Sequence, residues 1–228
     1  MRHLKKLIIL LCCCSGLFLL YFYSQNNNKN EEFTNVYVEN NLIYYDGSLS
    51  EEANDKVKNL YNENITGLAI NSRGGEINLG MDLGDWIYKH DLDIYVKNYA
   101  FSSAANYVVP AGKNIFLYKN SMIGWHGGVN QVPTTLFEKF MTNFILKNYI
   151  KEAKIKENKF FKKIKVNQDI TTYGQKKEFN KYNEKDYIGW TYSLNMMKSF
   201  GMKNIILIDK VWNPPMEFNG NKIFLITK

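Results

Sequence analysis

Cysteine is nearly missing from this 228-residue chain, and where it occurs is informative. Its three copies, Cys12, Cys13 and Cys14, all fall inside one apolar run near the amino terminus. The body of the protein therefore has no disulfide, no zinc–thiolate site and no cysteine nucleophile. Proline is also scarce, with four copies, and there are three histidines: His3, His90 and His126. The low proline content, with 45% hydrophobic and 22% charged residues, excludes wholesale disorder and collagen-like repeats. No aromatic-plus-glycine RNA-binding motif and no zinc-finger spacing occurs, so the formal charge of +7 is weak ground for a nucleic-acid partner.

That charge is unevenly placed. Arg2, Lys5 and Lys6 precede residues 7–23, LIILLCCCSGLFLLYFY, a charge-free stretch at the lower length limit for a membrane-spanning helix. Basic residues on its amino side predict that this end stays in the cytoplasm and the remainder lies outside. No small-residue cleavage site follows the run, and Leu11–Cys12 lacks a lipobox, so an uncleaved signal anchor over residues 1–24 is expected, ahead of a cleaved or lipoprotein signal. Residues 25–34 read as a polar linker, and 35–228 as one domain of about 200 residues. A second basic cluster spans residues 147–165, eight lysines against two glutamates. It suits an oligomerisation helix, an anionic bilayer contact or a solvated face.

Within the domain, strand and helix patterns alternate. Residues 35–45 read as one or two strands, and Ser48 to Glu51 has capping-box spacing ahead of an amphipathic helix. Residues 65–71 form a short apolar strand, 78–89 a helix, 91–96 a strand, and 102–109 a small-residue helix start. Short strands follow at 114–117 and 122–125. The order predicts an α/β core with crossover connections. Residues 133–165 are helical in pattern, 188–200 helical with a stop at Gly201, and 204–208 and 222–227 closing strands.

Three segments carry the chemistry. The strand at residues 65–71 breaks into Ser72–Arg73–Gly74–Gly75, whose glycines leave backbone N–H groups open to a bound oxygen. Ala100–Phe101–Ser102–Ser103–Ala104–Ala105 places serine at a helix start, where it serves either as a cap or as a hydroxyl projected into a cleft. Gly124–Trp125–His126–Gly127–Gly128 ends a strand with a histidine in an apolar, glycine-walled setting.

Together, Ile65–Thr66–Gly67, Ile70–Asn71–Ser72–Arg73–Gly74–Gly75, the serine helix closing at Ala111–Gly112, and the strand ending in His126 resemble the Clp protease proteolytic subunit. The resemblance extends more broadly to the crotonase-like fold, with extracytoplasmic, membrane-anchored Clp-protease-like proteins the nearest group. It covers residues 65–128 in motif detail, and the family's usual proline is replaced by Arg73. It implies a repeated β-β-α superhelix with a parallel sheet, behind one amino-terminal transmembrane helix.

It further implies a serine peptidase that needs no metal or organic cofactor. Counting back from Gly112 assigns the nucleophile to Ser103, with Ser102 the rival by one position. His126 matches the base, and the N–H groups of Gly75 and Ala104 match the oxyanion hole. The family's acid corresponds roughly to Asp186, with Asp169 and Glu184 as alternatives. A serine–lysine dyad through Lys97 or Lys113 ranks lower. The expected partners are a peptide or protein substrate, the membrane through the anchor and, on the family pattern, a homo-oligomer. Two other classes compete: a catalytically degenerate binding module, and a crotonase-type protein holding an acyl-thioester.

Overall fold

The computed structural model describes residues 34–131, 146–183 and 187–228. The chain divides into two units, 1–33 and 34–228, and the second carries everything below. Among the described residues no helix is long and apolar enough to cross a membrane; the expected anchor at 7–23 lies outside them.

The unit opens with an antiparallel pair, β1 (Asn35–Glu39) and β2 (Leu42–Asp46). Helix α1 (Glu51–Leu60) follows, capped by Ser50, whose hydroxyl accepts from Ala53 N–H, rather than by Ser48 as the spacing predicted. Then come β3 (Gly67–Ser72), α2 (Ile77–Lys89) and β4 (Asp93–Phe101). A π-helical turn (Ala104–Val108) runs into a 3-10 turn (Val109–Ala111), with β5 (Ile115–Leu117) and β6 (Met122–Gly124) after it. The carboxy-terminal part holds α3 (Lys147–Ile164), the short α4 (Asn180–Asn183), β7 (Tyr187–Tyr192), α5 (Leu194–Ser199), β8 (Ile205–Leu207), β9 (Glu217–Phe218) and β10 (Asn221–Ile226).

The architecture is α/β, with a mostly parallel seven-stranded sheet ordered β1-β2-β3-β4-β5-β8 and β6 branching from β4. Period-two alternation buries Ile43 and Tyr45, Leu68 and Ile70, Ile94 and Val96, and Ile115 and Leu117 in one core. Residues alternating with them form aromatic pairs instead. Tyr37 stacks on Tyr44 and Tyr95 on Phe116, with the Lys97 ammonium 5.2 Å from the Tyr44 ring.

The element expected at residues 188–200 differs. Residues 188–200, read as one helix, are strand β7 followed by the short α5. Trp190, Thr191 and Tyr192 are β-formers, and β7 pairs in parallel with β10 in a second sheet ordered β7-β10-β9. The expected glycine stop is present: Gly201 follows α5 at φ +98°. The helical stretch at 133–165 is seen as α3 from Lys147; residues 132–145 lie outside the described set.

Candidate active site

Three strand ends converge because β3, β4 and β6 run parallel, which brings their carboxyl ends to one edge of the sheet. Strand β4 is long enough to serve two partners. Its first half pairs with β5 at Ile94–Val96, and its second half with β6 at Tyr99–Phe101. The β3–β4 register shifts between these halves, from Ile70 opposite Val96 to Ser72 opposite Ala100. Such an irregularity bends the strand and re-aims its end.

Ser102 sits on that end in the left-handed region, at φ +57°. A non-glycine residue there is uncommon, and outliers of this kind cluster at functional sites. It is held on both sides: its N–H donates to Gly124 O at 3.0 Å, and its carbonyl accepts from Asn106 N–H at 2.8 Å. The following turn widens to π geometry, closed by Val109 N–H on Ala104 O.

His126 reaches the turn from the end of β6. A reciprocal pair of 2.8 Å bonds between Trp125 and Trp190 pins the preceding residue to β7. Gly124 lets the Phe101 ring lie against the backbone, since a Cβ there would come within 2.1 Å of that ring. The imidazole stacks on Phe101, with centroids 5.4 Å apart. Nε2 of His126 is 2.6 Å from Oγ of Ser102. The residue opens to solvent, yet the protein mass around the ring lowers its pKa below the ordinary value through desolvation. Desolvation thus favours the neutral imidazole, the form able to accept a proton.

The two neighbouring serines have different surroundings. The expected Ser103–His126 contact is not made; the hydroxyl that meets His126 is that of Ser102. Ser103 is 2% exposed and bonded twice to one residue, accepting from Gly75 N–H at 2.9 Å and donating to Gly75 O at 2.6 Å. The left-handed turn at Ser102 is the cause, because it points consecutive side chains in different directions.

The paired glycines differ in what they face. A Cβ on Gly74, which has φ +91°, would fall 2.8 Å from both Ser102 Cβ and Ser103 N. A Cβ on Gly75 would instead strike Leu49 O. Gly74 thus packs its backbone against Ser102, while Gly75 meets the Ser103 hydroxyl. Its N–H donates to Ser72 Oγ at 3.1 Å, and the Gly75 N–H is engaged by Ser103. Ala104, the other expected oxyanion donor, is fully buried in the π-helical turn.

Of the three candidate acids, Asp186 and Glu184 lie outside the described residues. Asp169 is exposed in a 3-10 turn (Gln168–Thr171) capped by Asn167, and no contact brings it to His126. Among the described residues no carboxylate bonds to the imidazole. The two candidate lysines are elsewhere: Lys97 lies over Tyr44 and Tyr118, and Lys113 is exposed before β5, at the opposite ends of the strands from Ser102.

Sequence reasoning passed over Glu157, which is fully buried on α3 behind the turn. Its signal was faint, a glutamate among lysines on an amphipathic helix. Only its position, in line with Ala153, Phe160, Phe161 and Ile164 on the buried stripe, distinguishes it. Among the described residues no group of three or more His, Cys, Asp or Glu side chains could hold a metal ion. Compared with protein-family models and with curated proteins, the chain shows no match.

Proposed function

We propose that this chain is a serine hydrolase, cleaving peptide or related acyl bonds with Ser102 as nucleophile and His126 as general base. One observation carries the reading: the 2.6 Å contact between Ser102 Oγ and His126 Nε2, made from a serine in the left-handed region at a strand-to-helix turn. Nucleophile and base within hydrogen-bond reach is the geometric requirement for this chemistry. A strained strand–serine–helix turn is a recurrent way of exposing such a hydroxyl.

In the acylation step Ser102 Oγ attacks the carbonyl carbon as its proton passes to His126 Nε2. The tetrahedral oxyanion collapses by expelling the leaving group, which takes the proton back from the imidazolium. Water then repeats the sequence on the acyl-enzyme. On this reading the oxyanion is met by the Ser103 N–H, which follows the nucleophile, and by the Gly74 N–H once it leaves Ser72 Oγ. Each such donor is worth about 3–4 kcal/mol in enzymes of this kind.

The order of glycine turn, serine and histidine on the ends of the neighbouring parallel strands β3, β4 and β6 supports a Clp-protease-like, crotonase-type fold. The basic residues ahead of the apolar run at 7–23 support a membrane-anchored location with the hydrolase domain outside the cytoplasm. Reaction with a fluorophosphonate probe tests the chemistry. The wild type labels, Ser103→Ala labels, and Ser102→Ala does not. Labelling lost in Ser103→Ala but kept in Ser102→Ala would return the nucleophile to Ser103. No labelling of the folded wild type would refute the hydrolase.

A further inference from the structure

We propose that Glu157 is a positioning residue for the Ser102–His126 pair, a buried carboxylate that holds the histidine loop in register with the serine-bearing turn. This deepens the hydrolase reading and rests on it for its kinetic consequence, though not for its structural one.

Four donors converge on the carboxylate. Oε1 accepts from the Tyr107 hydroxyl at 2.6 Å and from the Val129 N–H at 3.4 Å. Oε2 accepts from Gln168 Nε2 at 2.5 Å and from Asn130 Nδ2 at 3.3 Å. Tyr107 belongs to the π-helical turn that begins beside Ser102. Val129 and Asn130 lie three and four residues after His126. One side chain therefore ties the segment that presents the nucleophile to the segment that presents the base.

The chain also runs against the carboxylate with no room to spare. A Cβ on Gly128 would sit 2.7 Å from Thr171 Oγ1 and 3.0 Å from Glu157 Oε1. A second tie runs alongside, from Asn106 Nδ2 to Gly127 O at 2.7 Å.

A site offering donors alone suits an acceptor-only group, which is the ionised carboxylate. Burial pushes the Glu157 pKa up, while bonds from Tyr107, Gln168 and Val129 pull it back. The charged or titratable neighbours acting on it are Tyr107 and, from its own helix, the exposed Lys154. Placing this charge in the core is costly compared with an apolar residue of similar volume. A core position whose sole duty was packing would not need it. The geometry it secures is one in which misplacement by about 1 Å costs roughly 100-fold in rate.

The test uses the full-length chain with Glu157→Gln, and Tyr107→Phe as the milder variant should Glu157→Gln fail to fold. Two quantities are read well below the melting temperature: the fluorophosphonate labelling rate, and the His126 ring titration by NMR. Only three histidines need assigning, and His90, with Nδ1 held by Trp86 O, serves as an internal control. The expected result is labelling at least about tenfold slower, with the His126 pKa moving up toward its ordinary value as the ring loosens, and His90 unchanged. An unchanged labelling rate with an unchanged His126 titration overturns the proposal, whatever happens to the melting temperature. If the wild type does not label, the hydrolase reading fails, and the His126 titration alone decides: a shift retains Glu157 as organiser of the pair, and none refutes it.

Discussion

On the open side of the π-helical turn, Ser102 sits in the left-handed region and His126 faces solvent, with one short contact between them. On the closed side, Tyr107, Val129, Gln168 and Asn130 surround the buried Glu157 carboxylate, so that each of its oxygens has two donors. The open side tolerates strain because the closed side over-determines the backbone on which it rests. The exposed pair and the buried carboxylate are thus joined through one helical turn.

The sharpest way to break that comparison is at its open side. Ser102→Ala should abolish fluorophosphonate labelling and reduce hydrolysis by about 10³-fold or more, with little change in melting temperature, since the removed hydroxyl is only half-buried. His126→Ala should have a similar effect on rate and should leave Ser102 chemically inert. If either variant kept its rate, the contact at 2.6 Å would be incidental.

Gly74→Ala strikes where the two sides meet. The residue has φ +91°, and an added methyl would lie 2.7 Å from Phe101 O and 2.8 Å from Ser103 N. A loss of about 2–3 kcal/mol in chemical denaturation is expected, together with loss of activity from a displaced Ser102. The corresponding test at Gly220, where φ is +77° but nothing lies within 4 Å, separates backbone strain from steric collision. Gly220→Ala should cost less and leave the rate intact.

The site's open side was legible in the sequence, and its closed side was not. Paired glycines, a serine at a helix start and a histidine in a glycine-walled turn are punctuation that survives without coordinates. The alternation from Ile65 to Trp125 placed them at the ends of strands of one α/β core for the same reason. Which of Ser102 and Ser103 meets His126 was not legible, because it depends on one backbone dihedral. Glu157 was hidden too, since its partners come from residues 107, 129, 130 and 168. Strand β7 misled in a different way: Ile188 to Tyr192 satisfies a helical pattern, and only pairing with the distant β10 selects the strand.

The pH dependence distinguishes the titratable groups on the two sides. His126 must be neutral to accept the Ser102 proton, and desolvation holds its pKa below 6.5. The labelling rate should therefore rise with pH through a midpoint on the acid side of 6.5 and then level off. Glu157 works in the opposite sense on stability. Its folded pKa is raised, so its contribution is greatest below the unfolded carboxyl value and is lost as pH rises through the folded one. Glu157→Gln should flatten that part of the stability profile. A labelling midpoint above 6.5 would show that the imidazole is charged more readily than its surroundings imply.

The smallest effect is expected at Ser103, and it bears on how the open side is switched on. Its hydroxyl occupies the Gly75 N–H and carbonyl together, two bonds whose loss costs about 1 kcal/mol each. Ser103→Ala should therefore lower stability by about 1–2 kcal/mol while leaving Ser102 and His126 in place. It also frees the Gly75 N–H, a donor adjoining the Gly74 turn. If that donor can turn toward the oxyanion, the variant will label as fast as the wild type or faster, despite being less stable. A rate that falls in step with stability would instead mean that the Ser103–Gly75 bonds hold the glycine turn in its working position, making Ser103 part of the rigid side of the site.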